Sequence, residues 1–77
     1  MSKGKKKDHK VQVIFKGIRY IGIEHEGKVT FSRDGAPAGN ARWRDDQFLE
    51  SSALLPDEVI LQMEREIKEA IAADYFD

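Results

Sequence analysis

The side chains in this chain that could do chemistry are few and scattered. Glu24-His25-Glu26 has the composition of a metal site or an acid–base cluster and holds one of the two histidines. The other, His9, lies in the N-terminal segment. Where a strand runs into a turn, adjacent side chains leave on opposite sides, so these three read as a solvated turn and not as ligands of one ion. Ser32, Ser51 and Ser52 have no histidine near them in sequence to act as a base. Asp45-Asp46 is a carboxylate pair of the kind found in caps and turns. The glycines form neither GxGxxG nor a phosphate-binding loop. Cysteine is absent, which removes disulfides, thiolate ligands and thiol nucleophiles. The sequence predicts a protein that is not an enzyme, with no catalytic residue, metal or cofactor.

Charge is the stronger signal. Met1 to Arg44 carries eleven Lys/Arg against four Asp/Glu, and Asp45 to Asp77 carries two against ten. A total near neutrality hides a dipolar chain, and such asymmetry bears on macromolecular partners more than on fold.

The elements that must position these groups follow from patterning. Residues 1–10 hold five lysines and little apolar surface, the composition of a mobile basic arm. The remaining residues, 11–77, make one small domain, of a size that buries only about 60% of its surface. Val11 to Phe15, Ile18 to Glu24 and Val29 to Arg33 alternate as strands. Lys16-Gly17 and Glu26-Gly27 suit two-residue hairpin turns. That register sets Phe15 opposite Ile18, Val13 opposite Tyr20, Glu24 opposite Val29 and Gly22 opposite Phe31. One face then gathers Val11, Val13, Phe15, Ile18, Tyr20, Val29 and Phe31, and the other Gln12, Ile14, Arg19, Ile21, Ile23, Thr30 and Ser32.

Asp34-Gly35 is expected to end the sheet, with residues 36–40 as a loop. Residues 41–52 read either as a short strand at Arg42 to Arg44 followed by a turn, or as one helical turn near Asp45. Leu55-Pro56-Asp57-Glu58 is a helix start. Apolar residues at Ile60, Met63, Ile67, Ala70 and Ile71 carry one helical face to about Tyr75. The predicted fold is α+β: a three-stranded antiparallel β-meander with a C-terminal amphipathic helix on one face. No apolar run is long enough to span a membrane, and the chain reads as soluble and cytoplasmic.

Three surfaces are candidates for binding. Lys5, Lys6 and Lys7 of the arm, with Arg19, Arg33, Arg42 and Arg44, could neutralise phosphates. In an extended Arg42-Trp43-Arg44 both arginines share one side and Trp43 takes the other, to stack on a base or fill the core. The rear face of the sheet, with Ile14, Ile21 and Ile23, needs cover from Trp43, Phe48 and Leu49, from a second copy or from a partner. Asp45, Asp46, Glu50, Asp57, Glu58 and Glu66 form an acidic set able to imitate a phosphate backbone.

In size, acidic second half and lack of catalytic groups, the chain resembles small phage- or mobile-element-encoded inhibitors such as anti-CRISPR proteins. The resemblance implies a protein that binds and blocks a larger nucleic-acid-handling complex; in this chain's own charge and patterning, those acids would be the attracting surface and Ile21, Ile23 or Trp43 the anchors. It transfers no site residue. The rival reading is a small DNA- or RNA-binding accessory protein using the basic half, which requires the acids to sit on the far side. A third is a homodimer that buries the rear isoleucines.

Overall fold

The computed structural model describes residues 8–75. Five strands form one antiparallel sheet in sequence order: β1 His9–Phe15, β2 Ile18–His25, β3 Lys28–Arg33, β4 Ala36–Arg44 and β5 Gln47–Leu49. The sheet curls into a half-barrel, and α1, Asp57–Tyr75, fills its concave side. The α+β class, the meander and the C-terminal helix agree with the sequence; the strand number is five and not three.

The first three strands pair in the predicted register, with Phe15 opposite Ile18, Val13 opposite Tyr20, Glu24 opposite Val29 and Gly22 opposite Phe31. β1 starts at His9, so His9 and Lys10 are paired residues of the sheet. Lys3, Lys5, Lys6 and Lys7 of the arm, and Asp77, lie outside the described residues.

The missed strands follow from turn chemistry. Lys16-Gly17, Glu26-Gly27, Asp34-Gly35 and Asp45-Asp46 all carry positive φ at both positions, the geometry of the twist-matched hairpin turn. Asp34-Gly35 therefore reverses the chain into β4 instead of ending the sheet, and Asp45-Asp46 reverses it again into β5. Aspartate tolerates the left-handed region better than most residues, which allows the last turn to form without glycine.

Pro37 and Gly39 argue for a loop, yet both sit in β4. Arg33 and Ala36 flank the two-residue turn as the hydrogen-bonded pair, so Pro37, opposite Ser32, turns its missing N–H away from β3. The register then slips between Thr30 and Ser32, giving β4 an extra residue at Ala38-Gly39. Gly39 has φ of 104°, and a Cβ there would meet the Ser52 carbonyl oxygen at 2.4 Å. Only glycine lets the segment after β5 cross so closely. That segment holds β4 through Ser52 N–H to the Asn40 carbonyl and Leu54 N–H to the Ala38 carbonyl, both 2.8 Å.

The core gathers Val11, Val13, Tyr20, Val29, Phe31, Ala38 and Ala41 from the sheet, with Val59, Met63 and Ile67 from the helix. Met63, Ile67, Ala70 and Ile71 face the core as the periodicity predicts, but the stripe begins at Val59 and not at Ile60, which is only half-buried. Met63 is seated over Gly22, where an added Cβ would lie 2.9 Å from its sulfur. α1 lies along β1 and reaches β5 at the far edge, where the Glu64 carboxylate accepts the Phe48 N–H at 2.9 Å. The edge donor of β5 is thus satisfied by the helix that closes the half-barrel.

Candidate functional site

Two places in the fold bring chemistry-bearing residues together. The first joins residues far apart in sequence. Glu24 belongs to the inward-facing set of β2 and is 6% exposed. Its carboxylate accepts the His9 Nδ1–H at 2.7 Å and the Gly27 N–H at 2.8 Å. The other ring nitrogen of His9, Nε2, donates to Asp74 at the end of α1, at 2.6 Å. Donation from both nitrogens requires the imidazolium form. Burial works against that charge, but the hydrogen bonds to Glu24 and Asp74 and the charges of both carboxylates outweigh it, raising the pKa of His9.

This trio is a clasp. It ties the start of β1 and the end of β2 to the last turn of the helix, where a cation also complements the helix dipole. With both ring nitrogens engaged by carboxylates, His9 has none left to activate a nucleophile. Glu24 therefore does not belong to the solvated turn in which its sequence neighbours place it. His25 leaves on the opposite side, exposed, bonded to Asp8 and 3.4 Å from Glu26. Among the described residues, no group of His, Cys, Asp or Glu is arranged to hold a metal ion.

The second place is the convex face of the sheet. Pleating puts Lys10, Gln12 and Ile14 of β1 there, with Arg19, Ile21, Ile23 and His25 of β2 and Lys28, Thr30 and Ser32 of β3. β4 adds Pro37, Asn40, Arg42 and Arg44, and β5 adds Gln47 and Leu49. Lys10, Arg19, Lys28, Arg42 and Arg44 are all exposed, and no Asp or Glu occupies an outward strand position. Lys28 stands directly across from Arg42 on one side and from His25 on the other. Like charges in such pairs cost stability. Glu50, just after β5, pairs with Arg42 at 3.1 Å, but with both side chains about 70% exposed this bond is weak.

The sequence-derived candidates separate accordingly. Arg19, Arg42 and Arg44 share the convex face, as the alternation of Arg42-Trp43-Arg44 predicts. Lys10, read from the sequence as part of the basic arm, and Lys28, read as a turn residue, join them as the first residues outward of Gln12 and Thr30. Arg33 is opposite Tyr20, on the concave side. Trp43 also turns inward, its ring edge-to-face with Phe48 at 5.3 Å. Phe48 packs on Phe31 in the same way at 5.3 Å. Trp43 and Phe48 therefore do not cover the rear isoleucines. Leu49 does face outward, but opposite Arg42 and away from them. Ile14 is 62% exposed, while Ile21 and Ile23 are half-buried among their neighbours.

The six acids do not form one row. Asp45-Asp46 sits at the end of the sheet bearing Glu26-Gly27, since Trp43 N–H donates to the Gly27 carbonyl. Asp57 and Glu58 open the helix near Ala38, towards the opposite end. Glu66 is half-buried along the helix and Glu50 lies beside Arg42. Among the described residues, no helix is long and apolar enough to cross a membrane. Comparison with protein-family models, curated proteins and solved structures finds no match to this chain.

Proposed function

We propose that the protein binds nucleic acid through the convex face of its sheet, by contacts to the phosphate backbone. One observation carries this: five cations and no acid occupy the outward strand positions, with Lys28 and Arg42 as direct cross-strand neighbours. Two like charges held side by side, against the rules of strand pairing, are explained by a polyanion that neutralises both. The helix acids sit on the other side of the sheet, while Glu50 pairs with Arg42 and Asp45-Asp46 follows Arg44 at the sheet's end.

The inhibitor reading, in which the acids imitate nucleic acid to occupy a nucleic-acid-handling protein, draws less support from the same geometry. Its six residues are divided between the two ends of the molecule. A homodimer through the rear isoleucines would set two cationic faces against each other, a costly juxtaposition.

Fluorescence anisotropy with labelled DNA and RNA at about 50 and 200 mM salt tests the proposal. Binding should fall steeply with salt. Lys28→Glu with Arg42→Glu should weaken it at least ~100-fold with the thermal midpoint kept, while Asp57→Lys with Glu58→Lys should preserve or tighten it. No binding at the lower salt, or loss only with the helix pair, would overturn the proposal and turn the search to a protein partner.

A further inference from the structure

Resting on that reading, we infer that the ligand is double-helical DNA, held with the convex face across a groove, and not a single strand. Three features of the face converge on this.

Among the described residues, Phe, Tyr and Trp are absent from it, and its one flat ring, His25, is bonded to Asp8. The aromatic residues with described side chains, Phe15, Tyr20, Phe31, Trp43 and Phe48, all lie on or pack against the concave core. Single-strand sites combine a basic groove with aromatic platforms on which successive bases stack. Here the cations and the aromatics are on opposite sides of the same sheet.

The curvature has the wrong sign for a single-strand channel. A half-barrel's outer face bulges, so it cannot wrap a flexible backbone. A bulging face can lower the side chains of its crest into a depression while its ends rest on the rims, and the B-form major groove, about 12 Å wide, is open to side chains in this way. The deep, narrow major groove of A-form RNA is not.

The cations are also divided along the strands. Arg19 stands at one end of β2, beside the Lys16-Gly17 turn. Lys28, Arg42 and Arg44 cluster at the other end, level with His25 and beyond. Arg19 to His25 is six residue steps, about 20 Å of strand. That separation matches an open groove plus the phosphate rims on either side. Between the two groups the face offers Gln12, Ile21, Ile23 and Thr30 to the groove floor, with Lys10 across from Ile23 at the edge strand, towards the second group. Arg19 thus contacts one rim and the Lys28–Arg42–Arg44 group the other.

The test uses the full chain with a labelled DNA duplex of about 20 base pairs, each of its separated strands, and the RNA duplex of the same sequence. The DNA duplex should bind at least ~10-fold tighter than either strand or the RNA duplex. Arg19→Glu and Lys28→Glu should each weaken duplex binding ~10-fold and each reduce the salt slope by about one, with unchanged melting curves. Single strands binding as tightly as the duplex would overturn the groove assignment and leave the nucleic-acid reading standing. Preference for the RNA duplex would do the same. Arg19→Glu without effect, in a folded variant, would remove the second rim and with it the straddling geometry. Absence of binding to all four probes would overturn both inferences.

Discussion

The concave and convex faces of the sheet are made by the same strands, one residue out of step, and they have opposite characters. The buried inward positions are Val, Tyr, Phe and Ala, sealed by Val59, Met63 and Ile67, with Glu24 buried beside them in its bond to His9. Outward positions carry five cations, three isoleucines and small polar groups, with no acid among them. The inward set buries apolar side chains and gives its buried carboxylate, Glu24, hydrogen-bond partners in His9 and Gly27. The outward set breaks a rule of strand pairing by placing Lys28 opposite Arg42. Stability and the proposed nucleic-acid contacts are thereby separated by parity, and a substitution should affect one without the other.

The sharpest break in that comparison comes from the concave side. Met63 is fully buried over Gly22, so Met63→Ala should cost about 3 kcal/mol through lost burial and a cavity. In a domain this size that lowers the thermal midpoint by roughly 12–24 °C. A change of only a few degrees in calorimetry would mean that the helix is not seated as described.

The clasp gives a smaller, pH-dependent effect. Because the pKa of His9 is raised in the folded protein, its contribution is fully present below about pH 6.5 and is lost as pH rises through the folded value. His9→Gln should cost on the order of 1–2 kcal/mol near pH 6, as expected for charge-assisted hydrogen bonds, and much less near pH 9. Denaturant melts across that range should show wild-type stability declining towards the variant's. A constant gap would indicate that His9 acts by packing alone.

The smallest effect is expected on the convex face. Ile14, 62% exposed, should tolerate Ile14→Thr within about 0.5 kcal/mol. A loss above about 1 kcal/mol would show that something covers this face in the folded protein.

How much of this was legible in the sequence differs by element. The first three strands, their register and their two faces could be read because period-2 alternation and two residue-Gly turns are local signals. The helix could be read from local signals too, and Met63, Ile67, Ala70 and Ile71 face the core as expected, with Val59 in place of its neighbour Ile60 at the first position. β4 was legible only at its end, where Arg42 to Arg44 reads as one of two alternatives, a short strand before a turn: Pro37 and Gly39 are strand breakers in isolation, and only the pairing with β3 and the crossing segment at Ser52 makes them fit. β5 was hidden by a turn, Asp45-Asp46, that lacks the usual glycine.

The candidate site divides in the same way. The sequence alone determined the unequal distribution of charge, and strand parity placed Arg42 and Arg44 together with Trp43 opposed. Tertiary structure decided which cations share a surface, since the cross-strand placing of Lys28 beside Arg42 depends on β4 existing. It also decided the fate of the histidines. His9 and His25 are equally unremarkable in sequence, yet one is drawn between Glu24 and Asp74 and the other left in solvent. Local propensity acts over a few residues, whereas burial of a charge depends on the elements that meet around it. Here those elements are β1, β2 and the end of α1, which only the closed half-barrel brings together.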